Sequence, residues 1–152
     1  MALQVGDKAP STLGLNQDGK EIKLADYAGK KVVLYFYPKD NTPGCTDEAC
    51  SLRDRYDDLH KEGYEVLGVS TDSASSHQKF RTKQNLPFNL IADTDKKLAE
   101  TFGTWGEKSL YGKKYMGMLR TTFLIDETGT ITRIILPKEL NTKNHADQIL
   151  KN

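Results

Sequence analysis

Cysteine and long apolar runs are both scarce in this sequence. Its 152 residues include two cysteines, Cys45 and Cys50, too few for the disulfide framework of a small secreted domain. No window approaches the ~18 apolar residues of a membrane-spanning helix. The first ten residues lack the apolar core of a signal peptide. We therefore expect no membrane association and a cytoplasmic location.

An excess of charge of one sign is also missing. The 22 basic and 21 acidic side chains leave a formal net charge of +1. Nucleic acids and anionic membrane surfaces attract strongly basic proteins, so neither is an expected partner. The phosphate-binding motif GxxxxGK and a Ser–His–Asp arrangement are absent. The length suits one domain spanning residues 1–152.

Two nearly continuous apolar runs predict the centre of a sheet. Residues 31–37 (KVVLYFY) and 64–70 (YEVLGVS) are rich in β-branched and aromatic side chains, as strands buried on both faces are. Residues 11–15 and 21–24 flank a turn and predict an N-terminal β-hairpin. We predict the other strands at residues 88–92, 119–125 and 130–136, and helices at about 42–63, 73–85, 94–102 and 141–150.

The order of these elements predicts the fold class. Strands that alternate with helices favour a parallel sheet, whereas the last two strands are joined by a hairpin turn at residues 126–129. We therefore predict an α/β fold, a thioredoxin-like three-layer sandwich with a central mixed sheet and an N-terminal β-hairpin. Residues 103–117 are rich in glycine and are predicted to form a loop.

Cys45 lies where a helix is predicted to begin after the strand 31–37. Thr42 suits the N-cap and Pro43 the first helical position, which makes Cys45 the third helical residue. The free N–H groups of the first turn and the helix dipole stabilise a thiolate there, and the thiolate is the reactive form. The alternative is that Cys45 is simply a small buried residue. The cluster of Pro38, Thr42 and Cys45 favours a reactive site.

Cys50 follows five residues later in the same predicted helix. Five helical residues rise by roughly 7.5 Å and rotate by roughly 140°, which places the two Cα atoms roughly 8–9 Å apart. A disulfide requires less than about 7 Å. Cys45 and Cys50 therefore cannot be bonded while the helix is intact, and a bond between them requires local unwinding. This geometry favours a conditional disulfide over a permanent one.

Metal binding is the other common use of a cysteine pair. A structural zinc site needs four ligands, and none of His60, His77 and His145 lies at ligand spacing from the cysteines. We expect His77 and His145 to face solvent, and His60 to lie near the end of the first helix. The sequence therefore predicts no metal site and no other cofactor.

The segment Pro38-Lys-Asp-Asn-Thr42-Pro-Gly-Cys45 resembles the active-site pattern of peroxiredoxins, in which Pro and Thr precede a reactive cysteine. The continuation to Cys50 is similar to the bacterioferritin comigratory protein, or peroxiredoxin Q, branch of that family. The resemblance covers nearly the whole chain. Its other matching segments are residues 6–10, 105–108, 111–117 and 119–126.

The resemblance implies a role for each matching residue. Cys45 would be the peroxidatic cysteine and Cys50 the resolving cysteine. Thr42 would hydrogen-bond the sulfur and the peroxide, and Pro38 would shield the thiolate from water. Arg120 would favour the thiolate and hold the peroxide oxygens, although the sequence alone suggests a solvated surface arginine. Glu48 also matches the family, but an acidic residue in a first helical turn needs no further role.

The resemblance also implies the activity and the partners. The expected enzyme is an antioxidant thiol peroxidase that reduces hydrogen peroxide and organic hydroperoxides through a Cys45 sulfenic acid and a Cys45–Cys50 disulfide. Thioredoxin or a similar dithiol would be its reductant, and the protein would be a monomer. Two alternatives stay open: a disulfide carrier or chaperone-like binding module, and a scaffold that uses the same fold.

Overall fold

A computed structural model describes residues 2–151 of the chain. Its strands are β1 (Thr12–Leu15), β2 (Glu21–Lys23), β3 (Lys31–Phe36), β4 (Tyr64–Ser70), β5 (Asn89–Ala92), β6 (Trp105–Leu110), β7 (Lys113–Met118), β8 (Thr121–Ile125) and β9 (Ile131–Ile135). Its helices are α1 (Pro43–Asp54), α2 (Tyr56–Lys61), α3 (Ala74–Gln84), α4 (Lys97–Phe102) and α5 (His145–Leu150). No helix among the described residues is long and apolar enough to cross a membrane.

The central sheet has five strands in the order β5-β4-β3-β8-β9. Strands β3, β4 and β5 are parallel, whereas β8 and β9 run antiparallel to their neighbours. Strands β1 and β2 pair in a separate hairpin near the N-terminus. The predicted mixed sheet, thioredoxin-like fold class and N-terminal hairpin are confirmed.

Helices and the hairpin cover the two faces of the sheet and make three layers. Alternate side chains of β3 point to opposite faces, because strand side chains alternate. Val33 and Tyr35 join a core cluster with residues of α1, α2, α3 and α5. Val32 and Leu34 join the other cluster, with residues of the β1–β2 hairpin and α4. Helix α1 therefore lies directly against the strand that precedes it.

The predicted loop at residues 103–117 is wrong. The segment forms the antiparallel hairpin β6–β7, which is a separate two-stranded sheet. Its turn consists of Tyr111 and Gly112, which both have positive φ, the backbone geometry of a two-residue hairpin turn. The glycines that suggested a loop instead give the ribbon close contacts. An added Cβ at Gly106 would lie 3.0 Å from the side chain of Leu119.

The predicted first helix is two helices. Arg55, with φ of −109° and ψ of 18°, leaves the helical conformation and separates α1 from α2. Helix α3 follows the prediction closely: the Ser73 hydroxyl accepts a hydrogen bond from the Ser76 N–H, and Asn85 ends the helix in the left-handed conformation. Helices α4 and α5 begin later than predicted, at Lys97 and His145.

Candidate active site

Cys45 is the third residue of α1, at the carboxyl end of β3. Thr42 occupies the N-cap with an extended backbone and Pro43 occupies the first helical position, as predicted. The Cys45 side chain is 1% exposed and packs in the core cluster between α1 and the sheet. This placement keeps bulk water away from the sulfur while leaving it at the dipole-positive end of the helix.

Arg120 reaches Cys45 from the start of β8. Its Nη2 donates a hydrogen bond to Cys45 Sγ at 3.2 Å. Gly44 makes room for this approach, because an added Cβ at Gly44 would lie 3.3 Å from Arg120 Nη2. The guanidinium is one-fifth exposed and always protonated, so it presents a fixed positive charge to the sulfur. Arg120 is therefore not the solvated surface arginine that the sequence alone suggests, because it contacts Cys45 and Glu48. Its role toward a peroxide stays a prediction.

Glu48 is the second partner of Arg120. Its Oε1 accepts a hydrogen bond from Arg120 Nη1 at 2.7 Å. The carboxyl group is fully buried, and burial raises its pKa to about 7 against the opposing effect of Arg120. Glu48 is one helical turn after Cys45, so both side chains lie on the buried face of α1. The expectation that Glu48 is an acidic residue of the first helical turn is wrong, because α1 has no acidic residue in its first turn. The spacing of one helical turn could have placed Glu48 beside Cys45, but only the fold brings Arg120 to both.

His145 lies behind Glu48 and is buried, which corrects the expectation of a solvent-facing histidine. Its Nε2 is 2.7 Å from Thr122 Oγ1, and its Nδ1 is 3.0 Å from Gln148 Oε1. Burial lowers the pKa of His145 to about 4, so the ring is neutral near pH 7. Within residues 2–151, Glu48 Oε2 makes no hydrogen bond, although His145 Nε2 lies 3.5 Å away.

Thr42 and Pro38 lie on the loop between β3 and α1. The Thr42 hydroxyl donates a hydrogen bond to the Lys39 carbonyl at 2.8 Å, so it does not cap the helix through its side chain. Its oxygen keeps two lone pairs that can accept a hydrogen bond from a substrate. Pro38 is half-buried at the start of the same loop.

Cys50 has a different environment from Cys45, although both are free thiols. It is half-buried, and its Sγ lies 3.5 Å from Gln84 Oε1 at the end of α3. Burial raises the pKa of the Cys50 thiol, so it stays protonated at neutral pH. Both cysteines lie within the continuous helix α1, so the separation of roughly 8–9 Å between their Cα atoms applies.

The hairpin β6–β7 adds a second cation beside the site. Lys108 Nζ donates a hydrogen bond to the Met118 carbonyl at 3.0 Å. Burial lowers the pKa of Lys108, and the nearby charge of Arg120 lowers it further. The sequence analysis missed Lys108, because its position near Arg120 depends on the pairing of β6 with β7, and this segment was predicted to be a loop.

Comparison with known proteins identifies the family. The model of the AhpC/TSA family matches residues 5–134. Peroxiredoxin Bcp of Escherichia coli is 46% identical, covering 97% of this chain and 94% of that protein, and peroxiredoxin Bcp of Bacillus subtilis is 44% identical, covering 99% and 95%. The bacterioferritin comigratory protein of Xanthomonas campestris, in a structure concerned with its alkyl peroxide reduction, superposes with a TM-score of 0.85 at 35% identity, covering 97% and 94%.

The similarity to these proteins extends along nearly the full length of the chain. The geometry of the site agrees with it, because both cysteines lie in α1 and Arg120 contacts the first of them. The chain belongs to the AhpC/TSA family of peroxiredoxins, in its Bcp or peroxiredoxin Q group, and is a thiol peroxidase that acts on peroxides and is reduced by thiols.

Proposed function

We propose that Cys45 is the peroxidatic cysteine and Cys50 the resolving cysteine of this thiol peroxidase. The hydrogen bond from Arg120 Nη2 to Cys45 Sγ carries the assignment, because it puts a permanent cation on one of the two sulfurs. Within residues 2–151 no cation hydrogen-bonds the Cys50 sulfur, which contacts Gln84 instead, and burial raises the pKa of its thiol against the smaller opposing effect of Arg53. The thiolate is the nucleophile, so the first step belongs to Cys45.

The first step is attack of the Cys45 thiolate on the terminal oxygen of a hydroperoxide. The S–O bond forms as the O–O bond breaks, the sulfur is oxidised to sulfenic acid, and the leaving oxygen takes a proton to become water or an alcohol. Arg120 stabilises the negative charge that develops on the peroxide oxygens. The Thr42 oxygen accepts the hydrogen bond of the peroxide, and Pro38 limits water access.

The second step joins the two cysteines. The Cys50 sulfur attacks the Cys45 sulfenic acid, the S–S bond forms, and the hydroxyl of the sulfenic acid leaves as water. The first turns of α1 must unwind for this step, because a disulfide cannot span the helical separation of the two residues. The resolving step is therefore a local unfolding reaction as well as a chemical one.

The third step returns the enzyme to its reduced form. An external dithiol attacks the Cys45–Cys50 disulfide and takes over the bond by thiol–disulfide exchange. We assign this role to thioredoxin or a similar dithiol protein, and we place the cycle in the cytoplasm, where such reductants keep thiols reduced. A monomer suffices, because both cysteines come from one chain. Hydrogen peroxide and organic hydroperoxides are the substrates, and the alkyl peroxide reduction of the Xanthomonas campestris relative supports the second class.

The test is one equivalent of hydroperoxide followed by peptide mass spectrometry. The wild type should give a Cys45–Cys50 disulfide, and Cys50→Ser should give a Cys45 sulfenic acid without thioredoxin-dependent turnover. Cys45→Ser should consume no peroxide. Peroxide turnover by Cys45→Ser would refute the assignment of the nucleophile, and full cycling by Cys50→Ser would show that another thiol resolves the sulfenic acid.

A further inference from the structure

Asp40 lies on the loop 38–42 between β3 and α1, and three side chains contact its carboxylate. Tyr37 donates its hydroxyl to Asp40 Oδ1 at 2.6 Å, and Ser76 donates its hydroxyl to Oδ2 at 2.7 Å. His77 Nδ1 lies 2.7 Å from the same Oδ2. Asp40 is 5% exposed and His77 is fully buried, which corrects the expectation that His77 faces solvent. The first turn of α3 is therefore bound to the loop through a buried carboxylate.

The contacts of the His77 ring determine its charge. Nε2 lies 2.9 Å from the Ile91 carbonyl, which can only accept, so Nε2 carries a proton. Nδ1 faces the carboxylate of Asp40, whose oxygens already accept from two hydroxyls, so Nδ1 carries a proton too. His77 is then an imidazolium paired with an Asp40 carboxylate, a charge-assisted bond inside the protein. Such a pair holds its geometry strongly because breaking it leaves a buried charge without a partner.

This pair controls the backbone that leads to Thr42. The Asp40 N–H donates to Asp72 Oδ2 at 2.7 Å, so the loop is tied to the turn after β4 as well. Asn41 has a φ of 61°, a left-handed conformation that costs energy for a residue other than glycine. Thr42 comes next, and its hydroxyl is bonded back to the Lys39 carbonyl. The strained turn persists because Asp40 is held on both sides.

We propose that the buried Asp40–His77 ion pair is a positioning element of the peroxidase reaction, which holds the loop 38–42 so that the Thr42 oxygen meets the peroxide at the Cys45 sulfur. The proposal rests on the proposed roles of Cys45 and Thr42. Asp40 and His77 act through the loop and touch no reacting atom. Displacement of a reacting group by about 1 Å costs up to about a hundredfold in rate, so the hold has kinetic consequences.

A bound cation is the competing use of this cluster, because ligand atoms of Asp40, Asp72 and His77 lie within 4.8 Å of one another. The hydrogen-bond pattern favours the ion pair. Asp40 Oδ2 accepts from Ser76, and Asp72 Oδ2 accepts from the Ser70 hydroxyl at 2.8 Å. Hydrogens therefore already point at the oxygens that a metal ion would need.

Single-turnover kinetics separate positioning from folding. In a Cys50→Ser background, one equivalent of hydroperoxide converts Cys45 to sulfenic acid, which rapid quenching and dimedone trapping measure. The amplitude reports the folded fraction and the rate constant reports the geometry. Asp40→Asn should keep the amplitude and lower the rate constant on the order of tenfold. An unchanged rate constant at full amplitude would refute the proposal.

Two further variants keep the test decisive. Asp126→Asn is the matched control, because it also changes a carboxylate that accepts hydrogen bonds, here from the backbone N–H groups of Thr128 at 2.9 Å and Thr130 at 3.0 Å. Asp126 follows Ile125, which pairs with Val32 at the end of β3 away from the loop. This variant should cost stability and leave the rate constant unchanged. Ser76→Ala removes one of the three bonds to Asp40 and should slow sulfenate formation a few-fold if Asp40→Asn does not fold. A wild-type rate constant in Ser76→Ala would then count against the proposal.

A spectroscopic measurement tests the ion pair itself. A ¹H–¹⁵N NMR spectrum of the histidine side chains should show protons on both ring nitrogens of His77 at neutral pH. A ring with one proton would refute the charge assignment. If the ring signals shift on addition of Zn²⁺ and return with EDTA, the cluster is a metal site and the assignment of an ion pair is refuted. Absence of any sulfenic acid at Cys45 in the Cys50→Ser background would instead refute the proposed function.

Discussion

The two ends of one short helical segment differ sharply. Cys45 is 1% exposed, is bonded to Arg120, and follows a loop that Asp40 fastens to α3. Cys50 is half-buried, and within residues 2–151 its side-chain hydrogen bond is the one to Gln84 at 3.5 Å. Cys45, the proposed nucleophile, is thus held in place, whereas Cys50, the proposed resolving cysteine, is loosely held.

The difference suits a reaction with two geometries. The peroxide step benefits from fixed groups around a buried sulfur, because preorganised donors need not reorganise during the reaction. The disulfide step needs one cysteine to travel, and segments with few buried contacts open at low free-energy cost. Cys50 lies off the buried face of α1, which carries Cys45, Glu48, Ala49 and Leu52. Once the first turns of α1 unwind, the Cys50 side chain itself can therefore move without leaving the buried face.

The largest effect should come from removing the cation that distinguishes the two ends. Arg120→Ala should slow sulfenic acid formation at Cys45 by about 10²- to 10³-fold, the cost of losing one donor to a developing negative charge. Single-turnover quenching measures the rate. Alkylation of Cys50 by iodoacetamide is the internal control and should be unchanged. Equal slowing at both cysteines would mean that Arg120 acts through the whole helix.

The Glu48–His145 contact behind Cys45 should show itself in the pH dependence of stability. The pKa of Glu48 is raised to about 7, so its contribution to stability is lost as pH rises from about 4.5 to about 7. The pKa of His145 is lowered to about 4, so its contribution is lost as pH falls from about 6.5 to about 4. The two trends oppose each other in the wild type.

Single variants should therefore unmask opposite slopes, each on the order of 3 kcal/mol across its window. Glu48→Gln should become more stable from pH 4 to 6.5, because His145 alone remains. His145→Asn should become less stable from pH 4.5 to 7, because Glu48 alone remains. Urea unfolding across this pH range gives the free energies. Parallel slopes in the two variants would show that these groups do not titrate as described.

Gly44→Ala should have opposite effects on the rate of sulfenic acid formation and on the free energy of unfolding. The added methyl group would lie 3.3 Å from Arg120 Nη2, so the guanidinium has to shift away from the sulfur. We expect sulfenic acid formation to slow on the order of tenfold, while alanine's better helix propensity adds up to about 1 kcal/mol of stability. Stopped-flow kinetics and urea unfolding check the two effects. A faster reaction with unchanged stability would contradict this interpretation.

The smallest effect should come from the loosely held end. Gln84→Ala removes the hydrogen bond to Cys50 and should cost about 1 kcal/mol of stability or less. Sulfenic acid formation at Cys45 should stay at the wild-type rate, and disulfide formation should be equal or slightly faster. Mass spectrometry after rapid quenching follows both species. A substantially slower disulfide step would show that Gln84 guides Cys50 rather than merely contacting it.

The sequence predicted the parts of this molecule whose signal is local. The apolar runs of β3 and β4 and the Ser73 cap of α3 lie in consecutive residues, so their patterns were readable. The hairpin β6–β7 was missed because both of its faces are largely exposed, which leaves no alternation of apolar and polar residues. The break at Arg55 was missed because helical spacing continues across it.

The site shows the same division. Thr42, Pro43 and Cys45 are neighbours in sequence, and their arrangement at a helix start was predictable. His145 was misplaced because its partner Thr122 comes from another part of the chain, and only the fold brings the two together. Arg120 is 75 residues from Cys45, so its place came from family resemblance and not from spacing.

Hydrogen exchange of the reduced and peroxide-oxidised protein, followed residue by residue over 38–61, tests whether α1 unwinds when the disulfide forms. Oxidation should remove amide protection within α1 around Cys45 to Cys50, while the loop at Asp40 and the helix α2 keep theirs. A Cys45–Cys50 disulfide formed with the protection of α1 unchanged would contradict this prediction.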